Sequence, residues 1–500
     1  MRLPDLLKAS FQPRLFSHAA GGCRYPSAAS PRQQATAALP ARARTVVMML
    51  LVSASIGLYG CSSLPAVVPD LAVRHTPVQL EGAKGTLSVT QSKAVLAKLA
   101  ASGQGSDILQ RHLALEEAIA GSPLTTGNDV KLLQDGPATY QAMYAAIESA
   151  QDHINMETYI LEDDEVGQRF AEALMAKQRA GVQVNLIYDS VGTLGTPAEF
   201  FQKLADSGIA LLEFNPVNPL TAGKDWSINQ RDHRKLLIVD GRTAFLGGIN
   251  ISSVYSGGSF SKRAHSAQSD GLAWRDTDIQ VTGPVVAELQ KMFLQGWEKQ
   301  KGAAAVARNY FPKPQAAGNY VVRAIAAAPD EAYSQIYGTL ISAINNAETS
   351  VQITNAYFAP DPQLLEALQA AAKRGVKVTL ILPSKTDSWL IFHAGRGFYT
   401  ALLQAGVKIY ERHGVILHAK TALIDGVWVT IGSTNLDWRS FLHNYELNAV
   451  VLGAGFASQV QAMFDKDLAK SDEITLEKWQ NRALDLRFKE GFARIWSYWL

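Results

Sequence analysis

The chain has 500 residues, 47 basic against 45 acidic side chains for a formal charge of +2, and 47% hydrophobic residues. That length allows two or three domains with sizeable cores, and near-neutrality removes the electrostatic argument for a nucleic-acid binder. Two cysteines, Cys23 and Cys61, exclude a disulfide framework. No Cys/His spacing, HExxH pattern or EF-hand loop is present, so no metal or cofactor is expected.

At the N-terminus, Arg42 and Arg44 precede an almost wholly apolar run over residues 45–59, and GCSS follows. A positive flank, a short apolar core and small residues make a secretory signal. The core, about 15 residues, is short for a membrane span, which needs about 20. LYGCSS resembles a bacterial lipobox with Cys61 lipidated, although Tyr59 stands where a small residue is usual. The expectation is a bacterial envelope protein facing the periplasm, membrane-anchored by lipid on Cys61 or by an uncleaved signal anchor. Ser62, lacking the Asp that retains such lipoproteins at the inner membrane, leaves outer-membrane sorting open. The unpatterned residues before the run suggest a true start near Leu39. From Cys61 to about 110 the chain reads as a tether with one helix, QSKAVLAKLAA.

The body repeats itself. HINMETYI, a helical stretch and AGVQVNLIYDS in the first half match SVQITNAYFAP, a helical stretch and RGVKVTLILPS in the second. Each is strand, amphipathic helix, strand, the parallel βαβ unit. The expected organisation is an export signal over 1–60, the tether over 61–110, a first α/β domain over 111–305, a linker over 306–320 and a second domain over 321–500.

Each half then carries one polar signature: HRKLLIVDG over 233–241 and HAKTALIDG over 418–426. LLIV and TALI are short apolar runs and read as buried strands. On a strand, residues two apart share a face, so His233 points with Lys235 and His418 with Lys420. Asp-Gly before a second β-rich run predicts a two-residue hairpin turn. In that register 239 opposes 242, which gathers His233, Lys235, Gly248 and Asn250 on one face, and His418, Lys420, Ser433 and Asn435 on the other. Such a face suits a phosphate: Lys supplies a point charge, the amide donates, and imidazole serves as nucleophile or proton carrier. Asp240 and Asp425 sit about 23 Å of strand from their own histidines. They are expected to form the turns, with a structural ion pair. His393, His413 and His443 read as packing or surface residues.

The doubled HxKx4Dx6G(G/S)xN pattern resembles the phospholipase D superfamily. NQRDHRKLLIVDGRTAFLGGIN, AGVKIYERHGVILHAK and GSTNLDWRSFLHNYELN are most similar to bacterial cardiolipin synthases. The resemblance implies an α/β fold of duplicated αβα sandwich domains with one active site at their interface. It implies a metal-free, two-step transfer: His233 attacks phosphorus to form a phosphatidyl-histidine, and His418 protonates the leaving alcohol and then deprotonates the acceptor. Lys235, Lys420, Asn250 and Asn435 would hold the phosphate. Matching WRDTDIQVTG with NYELNAVVLG places Asp276 opposite Glu446 as the acids that orient the imidazoles; Asp276 is expected beside His233, with Asp278 as the alternative. The implied reaction joins two phosphatidylglycerols and releases glycerol, with phosphatidylethanolamine as another candidate donor. Hydrolysis to phosphatidic acid, and less readily a nuclease, are the alternatives within the superfamily.

A membrane surface is the expected partner, nucleic acid is not, and the oligomeric state is left open. Leu484, Phe488, Phe492, Ile495, Trp496 and Trp499 recur at helical spacing with Arg487, Lys489 and Arg494 among them. This fits an interfacial helix or, equally, ordinary packing against the second domain. The polar, Gly/Ser-rich stretch over residues 256–274 reads as a lid or an insertion.

Overall fold

The computed structural model describes residues 78–102, 108–218, 227, 229–257, 272–304 and 306–497. The export-signal run, Cys23, Cys61, Trp499 and most of the 256–274 stretch lie outside these residues. Among the described residues no helix is long and apolar enough to cross a membrane.

The first half runs β1 (Leu124–Leu133), α1 (Gly136–Ser149), β2 (His153–Thr158), α2 (Glu165–Arg179), β3 (Gln183–Asp189), α3 (Ala198–Asp206), β4 (Ala210–Phe214), β5 (Leu236–Val239), β6 (Thr243–Gly247), β7 (Asp278–Thr282) and α4 (Val285–Lys299). The second runs β8 (Tyr320–Ala327), α5 (Gln335–Asn346), β9 (Ser350–Asn355), α6 (Pro362–Lys373), β10 (Lys377–Pro383), α7 (Trp389–Arg396), α8 (Tyr399–Gln404), β11 (Lys408–Arg412), β12 (Lys420–Ile424), β13 (Trp428–Gly432), β14 (Asn444–Leu452) and α9 (Ala454–Leu468). A last helix, α10, spans Leu484–Arg494.

The strand order is the same in both halves. It is β4-β3-β2-β5-β6-β7-β1 in the first and β11-β10-β9-β12-β13-β14-β8 in the second. β2, β3 and β4 pair in parallel through helical crossovers, as do β9, β10 and β11. Local sequence sets these elements. Asp135 caps α1 through the Ala138 N–H with Pro137 in the first turn, and Asp361 caps α6 through Gln363 and Leu364 with Pro362 behind it. The central strands LLIV and WVTIG are buried on both faces because helices cover both sides.

One outer core forms under α1, α2 and α3 and another under α5, α6 and α8. A third, shared core lies between the two halves, where α4 and α9 contribute Val285, Leu289, Phe293, Phe456, Val460 and Met463. Along Thr125–Asn128, β1 pairs antiparallel with β8, which joins the two halves in one sheet. The boundary expected at residue 111 falls inside a helix, Ile108–Ile119, whose Leu109 and Leu113 pack into the core of the second half. A buried polar cluster fixes it there. His112 meets Glu116 at 2.9 Å, Glu116 meets Arg323 of β8 at 3.0 Å, and Trp428 of β13 donates to Glu116 at 3.1 Å.

The hairpins differ from the expected register by one residue. Val239 pairs with Thr243 and Ile424 with Trp428, so the turns contain three residues, Asp240-Gly241-Arg242 and Asp425-Gly426-Val427. Asp240, Gly241, Asp425 and Gly426 all have φ between 51° and 64°. Two successive left-handed residues make the tight turn, and the third is the extra residue of a bulge.

Each Asp side chain then reaches the start of the neighbouring strand. Asp240 accepts from the N–H groups of Gln151, Asp152 and His153 at 2.8–3.0 Å. Asp425 accepts from Glu348, Thr349 and Ser350 at 2.8–2.9 Å. Three peptide N–H donors thus hold each carboxylate at its turn. Asp240→Asn exchanges an acceptor for a donor facing one of those N–H groups. It is expected to lower stability by about 1–3 kcal/mol, read as a fall in Tm, while the folded fraction keeps its turnover. Loss of turnover at an unchanged Tm contradicts this assignment.

Candidate active site

Both His-x-Lys segments lie at the entry to their strands, where the chain crosses to the other half. Arg231–Asp232 pairs in parallel with Asn444–Tyr445, and Ile416–Leu417 pairs with Trp274–Arg275. The N–H of His233 donates to the Tyr445 carbonyl at 2.9 Å, and that of His418 to the Arg275 carbonyl at 2.8 Å. The residue after each acceptor is a carboxylate. His233 Nδ1 therefore meets both oxygens of Glu446 at 3.1 Å, and His418 Nδ1 meets Asp276 Oδ2 at 2.6 Å.

This corrects the expected pairing. Asp276 belongs with His418 and Glu446 with His233, each imidazole being oriented by the acid of the other half. With Nδ1–H donated to a carboxylate, Nε2 carries the lone pair.

The two lysines share the site with the histidines. Lys235 Nζ lies 5.2 Å from the Tyr159 ring centre, and that ring packs edge-on against His233 at 5.1 Å. Lys235 donates to the His233 carbonyl at 2.5 Å, and Lys420 donates to the His418 carbonyl. All four side chains are buried. Burial pushes Lys235 down to about 7 and Lys420 to about 8, each opposed by Glu446 and Asp276 together. Both lysines feel both acids, so the halves converge on a single site. Burial, joined by Lys420, pulls His418 down to about 4, and burial also lowers His233 against the pull of Glu446. Burial alone would raise Glu446, but His233, Lys235 and Ser433 outweigh it and hold the carboxyl below its ordinary range.

The residues expected to floor a phosphate mostly serve the acids instead. A Cβ on Gly248 would stand 2.3 Å from Asp276 Oδ1, so only glycine admits that carboxylate. Ser433, its counterpart, donates to Glu446 Oε2 and accepts from the Leu447 N–H at 3.0 Å. The Asn250 amide accepts from Ile160 N–H at 3.1 Å and donates to Tyr255 Oη at 2.9 Å. Asn435 is equally buried but its Oδ1 has no protein partner.

Residues unforeseen from sequence complete the walls. Trp274, Tyr255 and Tyr357 put ring centres 4.8–5.9 Å from His418, and Asp387 accepts from Tyr357 Oη at 2.5 Å. Tyr357 lies just past a strand end in TNAY, as Tyr159 does in METY, and Trp274 stands two residues before Asp276 in LAWRD. Asp278 orients no imidazole. It accepts from the Ile249 N–H at 3.1 Å and is counterpart to Asn448. Among the described residues no group of three or more His, Cys, Asp or Glu is placed to hold a metal ion.

The family model described as cardiolipin synthase, PLD-like domain, matches residues 143–257 and 340–468, one segment in each half. A cardiolipin synthase of Geobacillus sp. (strain WCH70) is 34% identical over 389 residues, covering 77% of this chain and 75% of the relative. The chain belongs to the cardiolipin synthase family of phospholipase D-like proteins. Cardiolipin synthase 2 of Bacillus anthracis is likewise 34% identical, over 77% of this chain and 73% of that one. Among solved structures, the phosphatidylserine synthase of Haemophilus influenzae Rd KW20 shares the fold. It has a TM-score of 0.56 at 13% identity and covers 77% of this chain and 97% of its own.

One buried group of this family member gives a test of the site's electrostatics. Burial, helped by Asp276, pushes the Asp278 carboxyl up to about 8. The folded protein therefore holds a proton there that the unfolded chain, with an ordinary pKa of about 4, releases. The stability tied to it is full below pH 4 and is lost as pH rises towards 8. Asp278→Asn, the residue type of the other half, removes that dependence. Its Tm relative to wild type should rise between pH 5 and pH 8. A difference that stays flat or falls would show Asp278 to be ionised in the fold.

Proposed function

We propose that the protein is a cardiolipin-forming phosphatidyltransferase that takes phosphatidylglycerol as donor and a second phosphatidylglycerol as acceptor. The observation that carries this reading is the convergence of two imidazole–carboxylate pairs and two buried lysines on one site. The family, whose curated relatives are named cardiolipin synthases, supplies the reaction class. The substrates come from a membrane surface.

Each residue has a chemical task in this reading. His233 Nε2 attacks phosphorus, a P–N bond forms, and the bond from phosphorus to the glycerol oxygen breaks. His418, which takes up a proton once the anionic diester offsets burial and the neighbouring Lys420, gives that proton to the oxygen, and glycerol leaves. His418 Nε2 then takes the proton of the acceptor hydroxyl, whose oxygen attacks phosphorus as the P–N bond breaks. Glu446 stabilises the charge developing on His233, and Asp276 does the same for His418. Lys235 and Lys420 hold the phosphate oxygens. The anionic diester raises their pKa values and keeps both ammonium groups charged when substrate is bound. Asn435 donates to the phosphate, while Asn250 fixes the wall through Tyr255.

With phosphatidylglycerol vesicles, the expected products are cardiolipin and glycerol in equal amounts by mass spectrometry. His233→Ala and His418→Ala should each lower turnover by at least about 10³-fold, given what base and nucleophile removal costs in comparable sites. Phosphatidic acid as the sole product would replace the acceptor lipid with water and overturn the transferase reading.

A further inference from the structure

The C-terminal helix has two different sides in the fold. α10 packs inward through Glu490 and Ala493, with Glu490 held by Arg482 at 2.7 Å. Its large apolar residues face the other way: Leu484, Phe488, Phe492 and Ile495 are 78%, 77%, 43% and 64% exposed. At 100° per residue these four fall within one narrow stripe directly opposite the buried side. Arg487 and Arg494 border the stripe on one flank, and Lys489, paired with Asp485 at 3.0 Å, on the other. The helix is thus seated on its own domain through one side and leaves its bulkiest apolar residues uncovered on the other.

The helix lies along α7, the element that follows a wall of the site: a Cβ on Gly397 would stand 3.6 Å from the Glu490 carbonyl oxygen. Arg494 lies over the ring of Phe398, 4.8 Å from its centre, and the start of α7 carries Trp389, 41% exposed. Two residues before Trp389 is Asp387, which holds Tyr357 against His418. In the first half, the loop after β3 packs Gly192 against the Tyr159 carbonyl, beside His233. Two residues on, it exposes Leu194. Exposed apolar residues thus follow corresponding strands, β3 and β10, in the two halves.

We infer that α10, Trp389 and Leu194 form the surface on which the protein docks to an anionic lipid bilayer, setting the mouth of the active site against the headgroups. This deepens the proposed function and rests on it. Apolar side chains enter the headgroup boundary while the flanking arginines meet lipid phosphates. Charge argues against a second copy as the occupant, since an isologous contact would set these cations against each other. So does size, because half a dozen side chains fall short of the roughly 20–30 residues a side of a stable interface.

The test attaches an environment-sensitive fluorophore to Ile495→Cys in the full chain, with Cys23→Ser and Cys61→Ser. A blue shift is expected on phosphatidylglycerol vesicles, and a weaker one on phosphatidylcholine vesicles. No shift overturns the proposal, an equal shift on both vesicles overturns its anionic character, and a vesicle-independent shift that grows with protein concentration assigns the stripe to a second copy instead. In parallel, Phe488→Asp should lower the ratio of turnover on vesicles to turnover on soluble short-chain phosphatidylglycerol by about tenfold; an unchanged ratio counts against docking. The fluorophore reads docking without turnover. A normal shift without cardiolipin would therefore sink the function and leave the surface standing.

Discussion

Each imidazole of the site takes its carboxylate from the opposite half of the molecule. His233 with Glu446 and His418 with Asp276 are the shortest route by which two copies of one fold become one centre. The backbone prepares the exchange, because the residue preceding each acid already accepts the N–H of the histidine it serves. Neither half holds an oriented histidine alone. The shared core of α4 and α9, the β1–β8 pairing and the polar anchoring of helix Ile108–Ile119 all act to keep that relation fixed.

The cost of the arrangement is electrostatic. Two lysines, two histidines and two carboxylates are buried together, and burial works against every charge among them. The acids offset this only in part, which is why the lysines are depressed towards neutrality. In the proposed reaction a phosphodiester would supply the missing negative charge. Ground-state burial of ammonium groups would thereby become a preference for anionic phosphate, realised through preorganised donors.

Much of this was legible from sequence. The duplication, the His-x-Lys faces and the turn-forming Asp follow from strand periodicity and repetition, which are local properties. Three features were not legible, each because it depends on something non-local or sub-residue. The hairpins hold one residue more than Asp-Gly alone demands, so the predicted register slipped by one and assigned Gly248 and Ser433 to the phosphate instead of to the acids. Aligning Asp276 with Glu446 identified equivalent positions, but equivalence between repeats says nothing about which half each one faces. Asn250 and Asn435 share a motif yet not a role, because only Asn250 has a tyrosine, Tyr255, placed to take its amide. The tail was ambiguous for the same reason: spacing shows that a helix is two-sided, and only the fold shows which side is turned out.

The crossed pairing is the claim on which the account stands. It is read most directly from the low-field Nδ1–H proton resonances of the two imidazoles, assigned by their disappearance in His233→Ala and His418→Ala. Glu446→Gln should move or abolish the His233 resonance and leave that of His418 in place, and Asp276→Asn should do the reverse. If Glu446→Gln instead perturbs His418 while His233 is untouched, each half orients its own histidine and the account is wrong.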